Sequence, residues 1–279
     1  MVIEKFKKLL RMEQQTVKLL VHKYLFKIGY EPQWKDGCVY AEGDIPVLLV
    51  AHMDTVHKNK PTEIYYDPEE DVMWSPQGIG GDDRCGVFAI LEILKTHKPY
   101  VLFTEDEEIG CIGAKKAVEK LKKPKVNFII ELDRRGINDC VFYDCDNKEF
   151  HRYIESFGFE SNWGSFSDIC HLSDAWDIAS VNLSIGYNRE HTTSEVIYTN
   201  VMEQTIEKVK KILDDAEKNK KFFKYDRKVY HYKVYRGGYD YGYDYDDFDW
   251  NYGYKKKTNE IGYDNELEEK DGKENELQS

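Results

Sequence analysis

The chain has 279 residues, 41% of them hydrophobic, and a formal net charge of −12. That length supports one large α/β domain or two small ones, and the acidic balance excludes a nucleic-acid partner, which would require a basic face. No apolar run reaches membrane-spanning length, and residues 1–30 carry charges throughout without a signal-peptide apolar core, so the expectation is a cytoplasmic protein with no membrane partner.

In chain order, residues 3–28 place Phe6, Leu9, Leu10, Val17, Leu20, Val21, Tyr24 and Leu25 at helical spacing, with a break near Glu13. Gly29 suits the helix end. Residues 38–41 and 46–51 read as strands, and Gly80-Gly81 opens a turn. The pattern then predicts a helix over 87–96, a strand over 101–104, a helix over 114–121, and strands over 126–132 and 140–143. A helix over 149–157, a late strand over 178–185 and a long amphipathic helix over 193–219 follow. Strands and helices in alternation predict an α/β fold with a mostly parallel, mixed central sheet flanked by helices in three layers. Residues 1–221 form the expected domain. From 222 to 279 a Tyr/Asp/Gly-rich, low-complexity stretch offers little to bury and reads as a disordered tail, with an aromatic-acidic pattern that could recruit a protein partner. Six cysteines without a CxxC pair read as reduced, mostly buried thiols.

The chemistry sits where predicted strands end. Residues 100–103 run into Glu105, Asp106, Glu107 and Glu108, four acids that repel one another unless a positive charge lies close by. The strand at 46–51 runs into His52 and Asp54. Asp82 and Asp83 stand in the glycine-rich turn GIGGDDRCG, Glu131 and Asp133 end another strand, and His191 follows the late strand in EHTTSE. Open α/β sheets collect ligands at the carboxyl ends of their strands, so these residues can converge. Each motif alone is weak, since a strand-end His or Asp is commonly a cap and charge runs are commonly solvated. Together they recur at roughly one strand–helix repeat. A mix of histidines and carboxylates suits zinc, or manganese or cobalt, and the set is too large for one tetrahedral ion. It suits two divalent ions sharing a carboxylate.

The ordered set VAHMDTV, GIGGDDRCGV, FTEDEEIG, ELD and EHTTSE resembles the zinc exopeptidase superfamily with two co-catalytic metals, over residues 1 to about 218. That group includes peptidase T-like peptidases, zinc aminopeptidases, and acetylornithine and succinyl-diaminopimelate deacylases. The resemblance implies that His52 and Asp133 hold one metal, Glu108 and His191 the other, and Asp82 bridges both. Asp54 would orient His52, and Glu107 would serve as general base and then acid. The choice of Asp82 over Asp83 comes from the resemblance, not from chemistry. Tyr187 and Arg189 are candidates for binding substrate, and the loop from Trp163 to Phe166 for a pocket wall. The implied activity is hydrolysis of a peptide by an exopeptidase; alternatives are deacylation of an N-acyl amino acid, or an inactive scaffold. Relatives of the peptidase T and deacylase kinds insert a lid domain of about a hundred residues before the last histidine. Here Asp133 and His191 lie 58 positions apart, which leaves no room for one.

Overall fold

The structure, a computed structural model, describes residues 2–229, 232–233 and 242–243. The first half of the chain forms helices α1 (Ile3–Leu10) and α2 (Gln14–Lys27), strands β1 (Gln33–Lys35), β2 (Cys38–Ala41), β3 (Ile45–His52), β4 (Tyr65–Asp67) and β5 (Val72–Trp74), helix α3 (Gly81–Ile93), strand β6 (Pro99–Thr104), helix α4 (Ile112–Lys120) and strand β7 (Phe128–Arg134). The second half adds β8 (Asp139–Val141), α5 (Lys148–Glu155), β9 (Glu160–Ser161), α6 (Asp168–Trp176), β10 (Ser180–Ser184), β11 (Tyr187–Asn188), β12 (Val196–Tyr198) and α7 (Thr199–Asn219).

Eight strands make the central sheet in the order β1-β2-β6-β3-β7-β10-β8-β9. Its middle, β6-β3-β7-β10, is parallel, whereas β1, β2 and β8 pair with their inner neighbours antiparallel. A strand covered on both faces must be apolar along its buried length, and β3 is from Ile45 to Ala51. Val47, Leu49 and Ala51 join a core with α1, α2, α3, α5 and α7, while Leu48 and Val50 join a second core with α4 and α6. The result is the expected three-layer α/β fold. Gly86 lets α3 lie close on β7, because a β-carbon there would come within 2.2 Å of the Leu132 carbonyl oxygen.

Four differences from the sequence reading bear on the site. Residues 193–198 do not start the last helix. Val196, Ile197 and Tyr198 form β12, paired antiparallel with β5 in a small second sheet, β11-β12-β5-β4; a β-branched and aromatic triplet prefers a pleated surface. Helix α3 spans Gly81–Ile93, with helical backbone from Arg84, rather than beginning at 87. The stretch before the late strand, where the sequence reading places only the loop from Trp163 to Phe166, also contains α6, whose Ile169, Leu172 and Trp176 face the core at helical spacing between polar residues. Residues 222–228 dock on the domain: Phe223 is core, its N–H donates to Asn127 and its carbonyl accepts from Ala179. Met1–Lys228 form one compact unit. The expected disordered tail falls outside the described residues from 230 on, apart from a ladder of Tyr232–Lys233 against Gly242–Tyr243. The segment between Asp133 and His191 builds β8, α5, β9, α6, β10 and β11 of this same unit. All six cysteines are free, and five are buried.

Candidate metal centre

Parallel pairing puts the carboxyl ends of β6, β3, β7 and β10 on one edge of the sheet. His52 is the last residue of β3, Asp133 sits near the end of β7, and Glu107 and Glu108 follow β6. Asp82 arrives from the turn that opens α3. There Gly80 takes a left-handed φ of 67°, and Asp82 and Asp83 are not yet helical. His191 arrives from the loop after β11, with φ of 62°.

These residues meet around one carboxylate. Asp82 Oδ1 lies 3.0 Å from His52 Nε2, and Asp82 Oδ2 lies 3.2 Å from His191 Nε2. His52 Nε2 is also 3.5 Å from Asp133 Oδ1, and His191 Nε2 is 3.0 Å from Glu108 Oε2. Donor atoms of His52, Asp82 and Glu108 lie within 4.8 Å of one another, as do those of His52, Asp83 and Asp133. Asp83 is otherwise engaged: its carboxylate accepts the N–H of Gly86 at 2.8 Å and of His52 at 3.3 Å. Asp54 Oδ1 stands 3.2 Å from His52 Nδ1, and its two oxygens accept the N–H groups of Glu107 and Glu108, each at 3.1 Å. Thus Asp54 orients His52 and fixes the acidic loop together. With its Nδ1 proton directed at Asp54, His52 turns Nε2 toward two carboxylates. That arrangement needs either a second proton on the ring or a cation between the groups.

The electrostatics say the same. Burial and then Asp82 raise Asp133 well above the usual carboxylate range, and burial and then Asp133 do so for Asp83. Burial, followed by Asp82, pushes Glu108 up to about 7, and burial also raises Glu107. Burial opposes the charge on His52, but Asp133, Asp54 and Asp82 outweigh it and raise its pKa. The hydrogen bond to Asp82 lifts His191 to about 9, against partial burial. Asp82 itself is lowered, because the two histidines overcome its burial. Glu108 Oε1 is buried without a hydrogen-bond partner. An orphaned carboxylate oxygen beside clustered acids fits a divalent cation, whose charge relieves the repulsion and whose coordination fills the vacant lone pair.

The structure therefore brings His52, Asp54, Asp82, Glu107, Glu108, Asp133 and His191 to one edge. Tyr187 is buried, and its hydroxyl donates to Asp133 Oδ1 at 3.0 Å, so it faces the carboxylate rather than an open pocket. Arg189 is exposed on a left-handed turn of the His191 loop. Ser167 occupies the capping position of α6 but makes no cap bond; its hydroxyl donates to Glu131 instead. Sequence reasoning missed the supports. Glu195 is buried and accepts the N–H of Gly80 and of Asp82, both at 2.9 Å, with His57 Nε2 at 3.2 Å. Its signal was an acid in EHTTSE directly before an apolar triplet. Asn182 of β10 exchanges amide hydrogen bonds with the Asp133 backbone, at 3.0 and 2.9 Å, where the β7–β10 register shifts. Thr104 donates to the buried Asp168, whose carboxylate groups with Glu107 and Cys111. The signals were an amide, Asn182, within the late strand, and a threonine, Thr104, at the end of an apolar one.

The model of the peptidase family M20/M25/M40 matches residues 48–249. Among solved structures, the aminopeptidase PepT from Bacillus cereus is similar with 15% identity and a TM-score of 0.61, over 76% of this chain and 97% of that one. A tripeptidase from Staphylococcus aureus gives 13% and 0.57, over 78% and 98%. The TET1 peptidase from Pyrococcus horikoshii gives 14% and 0.58, over 76% and 98%. No curated protein matches the chain. At such identities the likeness to the solved structures is one of fold.

Proposed function

From the premise that this chain belongs to peptidase family M20/M25/M40, we propose that it is an exopeptidase that holds two divalent ions, zinc by preference, and cleaves residues from the end of short peptides. His52 and Asp133 would hold one ion, His191 and Glu108 the other, and Asp82 would be the carboxylate shared by both. The observation that carries this reading is the Asp82 carboxylate, with each oxygen facing a different histidine at 3.0 and 3.2 Å. Imidazole and carboxylate donors suit zinc, with cobalt or manganese able to replace it. When bound, such ions polarise the scissile carbonyl and make a water acidic enough to attack near neutral pH.

The protein's own groups do the rest. Asp54 holds the His52 ring through Nδ1 and leaves Nε2 free to ligate. Glu107 lies next to the Glu108 ligand, and burial raises its pKa. It takes the proton of the attacking water and hands it to the leaving amine. Tyr187 steadies Asp133. Arg189 offers an exposed cation, beside His191, to a substrate carboxylate. Ile109, Trp163 and Phe166 are exposed on the loops that follow Glu108 and precede Ser167, and give a peptide's side chains an apolar rim.

The test is a substrate screen on zinc-loaded protein: di- and tripeptides with free ends against N-acyl amino acids and end-blocked peptides. The proposal expects residues released one at a time from free-ended peptides. Cleavage confined to N-acyl amino acids, or to internal bonds of blocked peptides, would contradict it.

A further inference from the structure

The acidic run after β6 divides into two pairs facing opposite ways. Glu108 reaches His191 at the centre and Glu107 accepts from Cys111 Sγ at 3.4 Å beside Asp168, whereas Glu105 and Asp106 turn to helix α2. Glu105 is 5% exposed and forms an ion pair with Lys18 of α2, which is 3% exposed. Lys18 Nζ also donates to the Lys35 carbonyl at 2.7 Å and lies 4.8 Å from the centre of the Trp34 ring. Glu105 additionally accepts from Gln15 and from the N–H of Gly37 at 3.0 Å. Next along, Asp106 exchanges bonds with Gln14: Gln14 Nε2 donates to Asp106 Oδ1 at 2.9 Å, and the Asp106 N–H donates to Gln14 Oε1 at 3.1 Å. Asp106 has a left-handed φ of 59°, and this reversal turns the chain from α2 toward the centre. A buried ion pair is a poor source of net stability, since desolvation consumes most of its attraction. Glu105 nonetheless has three partners at once, Lys18, Gln15 and the Gly37 N–H, and it stands two residues from Glu107.

We propose that Lys18, acting through Glu105, is a positioning residue for the reaction: it anchors the acidic loop on α2 so that Glu108 meets His191 and Glu107 is held directly beside it. This rests on the exopeptidase reading above. Removing the anchor lets the loop relax toward solvent, and a general base displaced by about an ångström loses on the order of tenfold to a hundredfold in rate. Substrate binding, which depends on the ions and the rim, changes little.

The experiment is Lys18→Met, loaded with zinc and assayed well below its own Tm, with kcat, KM, bound metal and Tm measured beside the wild type. The expected result is kcat lower by about tenfold to a hundredfold, KM within about twofold, and undiminished metal. Unchanged kcat with a lower Tm would overturn the proposal and make the pair merely structural. A wild type that binds zinc yet hydrolyses no peptide would overturn the exopeptidase reading itself, and the two failures are thereby distinct. Should the variant not fold, Gln14→Leu releases Asp106 at the partly exposed end of the same anchor; it should lower kcat in the same sense, and unchanged kcat there would equally overturn the proposal.

Discussion

His52 and His191 face the same carboxylate from opposite circumstances. The His52 side chain is 1% exposed at the end of a strand hydrogen-bonded on both sides, while that of His191 is 52% exposed in a left-handed loop. Asp133 shares the first condition, held by Asn182 and Tyr187. Glu108 shares the second, in a loop tied down by Asp54 and, one turn earlier, by α2. The strand half is placed by the backbone ladder, so its geometry costs no further ordering. The loop half is placed by side chains: Glu195, Asp54 and Lys18. Rigidity and adjustability are thus divided between the two, and Glu107, the proposed general base, belongs to the loop half.

Variants can break this comparison or sharpen it. The largest expected effect is Glu107→Ala, which should lower kcat about a hundredfold to ten-thousandfold while metal content stays at the wild-type level, measured by steady-state kinetics and elemental analysis. Activity at the wild-type level would remove the loop half's catalytic role. Next, His191→Ala should lose one ion and remain folded, whereas His52→Ala should lose both ions and a substantial part of Tm, because it leaves Asp82, Asp83 and Asp133 buried together without a cation. Equal behaviour of the two variants would erase the distinction. Asp54→Asn keeps the shape but weakens the hold on both His52 and the acidic loop, and should cost about tenfold to a hundredfold in activity or metal affinity.

The smallest effect is one of pH. In the metal-free protein burial raises Glu108 from 4.5 to about 7, and Asp82 raises His191 from 6.5 to about 9. A group whose folded pKa is raised contributes stability that is present below its unfolded value and is lost as pH rises through the folded one. Metal-free stability should therefore decline over this range, through Glu108 first and His191 later. Ligand protonation also weakens metal binding at low pH. Zinc should consequently raise Tm more at about pH 8 than at about pH 5.5, by thermal melts with and without chelator.

How much of this was legible in the sequence follows the same division. The strand half announced itself, because an apolar run that ends in His or Asp is a local pattern: LLVAHMD and FIIELD place His52 and Asp133 directly. The break at Glu13 and the three layers were legible for the same reason. The acidic run was visible too, but not its division, because which acids turn to α2 depends on a contact 87 positions away between Lys18 and Glu105. Glu195 and Asn182 left only weak signals as supports, since their partners are backbone groups brought close by the fold. Helix α6 was hidden by its own polar residues.

The most direct test of the central claim is metal content per chain on protein purified without chelator, comparing wild type with Asp82→Ala. The account predicts about two zinc-like ions in the wild type and the loss of both in the variant, as a shared carboxylate requires. A wild type that binds no ion, or an Asp82→Ala protein that keeps its full complement, would contradict it.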